Sequence, residues 1–157
     1  FVLPAGVSHL QLLEDAQQIM AERFILGLVE QYISGSDLFT SWSERGYVPP
    51  ATPFARRIKI DGHVEGGDGK TLLEQQELLR ARGLSMPKMY DLAVAFMGYY
   101  LIAGQSLFGI QKEDQLFSIR ALDGALGVNR QGLHEARPFS GSAFAWLGVA
   151  ASVEQVV

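Results

Sequence analysis

Residues 92–110 read LAVAFMGYYLIAGQSLFGI, nineteen positions without a formal charge. Such a stretch has to leave water, either for a protein core or for lipid. As a helix it would span about 28 Å, close to the roughly 30 Å of bilayer hydrocarbon. Tyr99 and Tyr100 stand near its middle, whereas interfacial tyrosines belong at the ends of a span. Gln105 and Ser106 add polar cost, and Gly98, Gly104 and Gly109 do not fall at G-x-x-x-G spacing. The stretch therefore reads as a buried central helix covering about 86–110. A small integral membrane protein spanning at 92–110 is the alternative.

The flanking sequence supplies helices to wrap it. Ser8 with Gln11 three residues on fits a capping box. Leu13, Ala16, Met20, Phe24 and Leu28 then recur at spacings of three and four as far as a stop at Gly35, predicting one long amphipathic helix. Ser36 to Arg45 predicts a short helix with Leu38, Phe39 and Trp42 inward. Prolines 49, 50 and 53 make 47–54 an extended loop, where an internal boundary would fall if the chain has one. Thr71 to Arg82 reads as a helix ended by Gly83, and Ser85 as the cap of the central helix. Helices are also expected over 113–126 and 141–157. The clearest strand signal is Arg57 to Ile60, followed by Asp61-Gly62 and a return strand at 63–65, a small β-hairpin. The expected fold is mainly α: a single domain, 1–157, built as a five- to six-helix bundle with one hairpin near 57–65.

Composition narrows the function. The 157 residues are 48% hydrophobic and 19% charged, which is globular rather than disordered. A net charge of −4 argues against nucleic acid, which needs a basic stripe to displace counterions, and Arg56, Arg57 and Lys59 are too few to make one. The absence of cysteine removes thiolate nucleophiles, Cys-type zinc sites and disulfides. It leaves the compartment open, since a chain without cysteine is at home in cytoplasm, periplasm or outside; cytoplasmic or membrane-associated are the expected locations. Because the sequence opens on Phe1 rather than Met, an upstream segment is expected to have been removed.

Val64 to Thr71, VEGGDGKT, is the sharpest motif. It resembles the phosphate-binding loop of nucleoside monophosphate kinases, thymidylate kinases in particular, over about 25 residues from Ile58 to Gly83. The resemblance implies phosphate binding by the backbone of Gly66, Gly67 and Gly69 with Lys70 and Thr71. Such a loop needs four residues between its first Gly and the Gly-Lys pair, and this one is about two residues short. Asp61, His63, Glu65 and Gly66 also match positions 1, 3, 5 and 6 of a calcium loop, but Leu72 stands where the bidentate Glu is required. His9, His63 and His134 show no metal-ligand spacing, and no G-x-S-x-G elbow is present.

No catalytic residue, metal or cofactor is assigned on these grounds. The expected function is that of a non-enzymatic structural or adaptor subunit of a multiprotein assembly. It would dock other subunits, or a second copy of itself, through apolar helical faces, with a nearby membrane as a further surface. A phosphate- or nucleotide-binding protein using Gly66 to Thr71 is the enzymatic alternative.

Overall fold

The computed structural model describes residues 1–23, 37–104, 117–129, 132–136 and 147–156. Four helices lie among the described residues: α1 (His9–Arg23), α2 (Asp37–Glu44), α3 (Leu72–Ala81) and α4 (Met89–Ala103). Seven strands accompany them: β1 (Val2–Leu3), β2 (Arg56–Asp61), β3 (Phe117–Ala121), β4 (Gly124–Asn129), β5 (Gly132–Ala136), β6 (Leu147–Val149) and β7 (Ala151–Val156). One sheet has the order β1-β2-β7 and is antiparallel throughout. The other has the order β5-β4-β3-β6, with β3 and β6 parallel. Only Ala150 separates β6 from β7, so the chain crosses from one sheet to the other at a single residue.

The expected five- to six-helix bundle is therefore wrong, and the fold is a mixed α/β one. The described part of the helix expected over 113–126 is β3, a two-residue turn at Leu122-Asp123 and the start of β4. The described part of the helix expected over 141–157 is β6 and β7. The reason is burial on both faces. Ser118, Ile119, Arg120 and Ala121 are all buried, as are Gly148, Val149, Ala150 and Ala151. A strand covered on both sides loses its alternating pattern and reads as an unbroken run. The hairpin near 57–65 is also corrected. Its first strand forms as β2, but the partners of β2 are β1 and the distant β7 rather than 63–65.

The central element is α4, as its composition demands. Tyr90, Leu92, Ala93, Phe96 and Met97 are buried against Leu13 of α1, Phe39 and Trp42 of α2, Ile58 of β2, and Ile119 and Leu126 of the second sheet. Fully burying one such side chain contributes about 1.5–3 kcal/mol, so this cluster dominates stability. The helix ends at Gly104, whose φ of +65° is a left-handed C-cap. The remainder of the uncharged stretch, 105–110, falls outside the described residues, as does the part of the expected first helix beyond Arg23. At 15 residues α4 reaches only about 22 Å. Among the described residues no helix is long and apolar enough to cross a membrane. Membrane association through residues 92–110 is accordingly withdrawn.

Candidate functional site

The Gly-rich loop lies between β2 and α3, beside the junction of the two sheets. Gly66 and Gly69 take the left-handed region, with φ of +79° and +68°. Gly67 is needed for space: a Cβ there would lie 2.5 Å from Val149 Cγ1 and 3.0 Å from the Val64 carbonyl. The loop is tied down from beneath. Gln75 Nε2 donates to the Gly67 carbonyl at 2.8 Å, and Arg120 donates to Gln75 Oε1 at 3.0 Å and to the Lys70 carbonyl at 3.4 Å. Arg120 is 2% exposed, and burial lowers its pKa. The buried guanidinium and amide thus hold the loop against β3 and β6.

Of the groups expected to hold a phosphate, Thr71 and the Gly67 amide are engaged within the chain, Gly67 N donating to the Val64 carbonyl at 3.0 Å. Glu74 reaches back across the α3 N-terminus, accepting from Thr71 N at 2.7 Å and from Thr71 Oγ1 at 2.8 Å. Thr71 Oγ1 in turn accepts from Glu74 N at 3.4 Å, completing a capping box. These hydrogen bonds stabilise the ionised carboxyl and lower its pKa. A carboxylate therefore occupies the end of the helix dipole where an incoming anion would sit. The pattern Thr71-Leu72-Leu73-Glu74 is the sequence signal for this arrangement. His63 Nε2 and Asp68 Oδ1 face each other at 2.8 Å on the exposed side of the loop. Among the described residues no three His, Asp or Glu gather as a metal ion requires, calcium template included.

A second polar group is buried under α1. His9 is 2% exposed and its ring stacks on Tyr90, with centroids 5.0 Å apart. Arg56 lies 3.6 Å from Asp91 Oδ1 beside them. Desolvation lowers the His9 pKa, and the Arg56 charge adds to the effect. Desolvation, then the Asp91 charge, raises the Tyr90 pKa. The Tyr90 hydroxyl has no hydrogen-bond partner among the described residues, and at His9 only the backbone of Pro49 opposes the fall in pKa. Sealed from solvent, the group has no route for a substrate and belongs to the core. The side chain of His134 in β5 is outside the described part.

Among the described residues an accessible concave surface lies between α4 and the edge of β2. It is an open groove of about 440 Å³ with an apolar floor of Ile58, Ile60, Val94 and Ala95. Phe1, Tyr99 and Ile102 form its rim, at 40%, 42% and 90% exposure. Arg57 and Lys59, both exposed, also line it. The sequence did not reveal this site, because it depends on β2 lying beside the last turns of α4. Ile102 belongs to the uncharged stretch expected to be hidden, yet it projects from the surface. Compared with known proteins, the chain matches no family model, no curated protein and no solved structure.

Proposed function

We propose that this chain is a non-enzymatic docking subunit that holds a partner protein at the groove between α4 and β2. The exposure of Ile102 carries the reading. Its side chain is 90% exposed beside Tyr99 and Phe1, over an apolar cavity of about 440 Å³. A single exposed apolar residue is ordinary, but several rimming one apolar cleft are the usual mark of an interaction surface. The Gly-rich loop competes less well as the functional centre. Its glycines serve turns and close packing, and its helix N-terminus already holds the Glu74 carboxylate.

Site-specific photo-crosslinking tests the proposal. A benzophenone side chain at position 99 should give a discrete protein adduct in cells expressing the chain, suppressed by Ile102→Glu. The same probe at Leu73, an exposed apolar residue on α3, should give none. Absence of an adduct at 99, with light scattering showing only monomer, would count decisively against docking at this face.

A further inference from the structure

We propose that Asp68 is a site of self-modification: assisted by His63, its carboxyl condenses with the Gly69 amide, and the main chain rearranges there to isoaspartate. The inference is independent of the docking groove. Three Asp-Gly steps stand in the sequence, Asp61-Gly62, Asp68-Gly69 and Asp123-Gly124. A glycine leaves its own amide nitrogen unshielded by a Cβ, so all three steps share the same local chemistry. The fold treats them differently.

Ring closure carries the carboxyl carbon onto the nitrogen of the next residue, which requires rotation about the Asp Cα–C bond. That rotation turns the following peptide plane with it. Asp61 ends β2 opposite Ala151, its Oδ1 accepts from His63 N at 3.3 Å, and Gly62 is buried. Asp123 is pinned more firmly. Its Oδ1 accepts from Met89 N at 2.8 Å, and Gly124 pairs with Ala121 and packs on the Met89 side chain.

Asp68 and Gly69 form an exposed turn outside every helix and strand. Gly69 N makes no hydrogen bond among the described residues, and a Cβ at Gly69 would meet nothing within 4 Å. The chain is anchored on both sides of this step. Gln75 holds the Gly67 carbonyl before it, and Arg120 and the Thr71–Glu74 capping box hold the chain after it. The freedom to rotate is thus confined to the one step where the carboxyl and the open amide are neighbours.

A carboxylate resists attack by an amide because it has no leaving group, and His63 supplies the remedy. Its Nε2 lies 2.8 Å from Asp68 Oδ1, and the pair is open to water, the side chains being 40% and 42% exposed. A protonated imidazole at that distance is placed as a general acid. The Gly69 N–Cγ bond forms and the Cγ–Oδ1 bond breaks. Oδ1 departs as water, carrying the Gly69 amide proton and one proton from His63, and a succinimide remains. Solvent water then opens the ring at the Asp68 main-chain carbonyl and returns a proton to His63. The main chain now runs through Cγ, one methylene longer, with a carboxylate directly on Cα.

The test is incubation of the purified chain at neutral pH in heavy-oxygen water, followed by digestion and mass spectrometry with electron-transfer fragmentation, which separates isoaspartate from aspartate. Labelled isoaspartate at position 68 should exceed that at 61 and at 123 by about tenfold or more. In urea the three steps should converge, because only local sequence then distinguishes them. His63→Gln keeps the main-chain bond to Asp61 but has no proton to deliver. It should lower the yield at 68 by about tenfold or more and leave 61 and 123 unchanged, with circular dichroism confirming the fold. Equal yields at the three steps of the folded chain, a higher yield at 61 or 123, or no label at 68 would overturn the site. Those comparisons need no variant. An unchanged yield at 68 in folded His63→Gln would overturn the part given to His63.

Discussion

Met89 N donates to Asp123 Oδ1 at 2.8 Å, so the first amide of α4 is capped by a residue 34 positions further along the chain. Lys88, the local cap residue, offers no side-chain bond to the helix. Ser85, which the sequence marks as the cap, instead pairs its backbone with Ser152. The Leu122-Asp123 turn of the β3–β4 hairpin therefore anchors the start of the central helix, and Leu122 N adds a 2.8 Å bond to the Pro87 carbonyl.

Asp123→Ala should lower stability by about 1 kcal/mol, the usual value of a helix cap. Asp123→Asn, which keeps an acceptor oxygen, should lose less. Ser85→Ala should stay within about 0.5 kcal/mol of the parent. Urea denaturation of the three variants makes the comparison, and a larger loss at Ser85 than at Asp123 would refute the tertiary cap.

Gln75→Leu should cost about 1–3 kcal/mol. The leucine fills most of the space but takes away an acceptor of buried Arg120 and the donor to the Gly67 carbonyl. The loss should be accompanied by faster amide exchange in the loop around Gly67. Unchanged exchange there would show that the loop is held by its turns alone.

Gly67→Ala should destabilise by about 1–3 kcal/mol, because its Cβ meets Val149 Cγ1 and the Val64 carbonyl, and overpacking of this kind costs that much. Val149→Ala should not fully rescue it, since the carbonyl contact at 3.0 Å remains. Gly124→Ala meets the flexible side chain of Met89, with Sδ at 2.6 Å, and should cost less. Thermal melts of the set decide the order.

Stability should fall as the pH drops below about 6.5, where an unfolded histidine takes up its proton. Folded His9 has a lowered pKa, so the unfolded state binds more protons in the window between that pKa and 6.5. The contribution is intact above 6.5 and is lost progressively through the window. His9→Phe preserves a ring against Tyr90 and should flatten this part of the profile. A slope unchanged in His9→Phe would assign the pH dependence to other groups.

The groove experiments bear on function, whereas these four bear on the frame that holds the groove. The frame was legible in the sequence in part. Phe39 and Trp42 on α2, the span of α3 and the buried first half of α4 follow from spacings within one or two helical turns. Arg57 to Ile60 was legible as a strand, since its outer residues remain polar. The site was not legible. Lys59 and Ile60 meet Tyr99 and Ile102 only because β2 packs beside α4.

The sequence by itself determined α2, α3 and the start of α4, whose hydrogen bonds close within four residues and whose faces repeat locally, but it also placed helices over 113–126 and 141–157 where the described residues form strands. It also determined that α4 must be central, because the uncharged run from Leu92 onward cannot be left in water. Only the tertiary structure decided what surrounds that helix. The register of β2 with β7 joins residues nearly a hundred positions apart, and β3 and β6 are buried on both faces, which erases their alternation. The same packing leaves Ile102 uncovered at the end of α4, opening the groove beside Ile60.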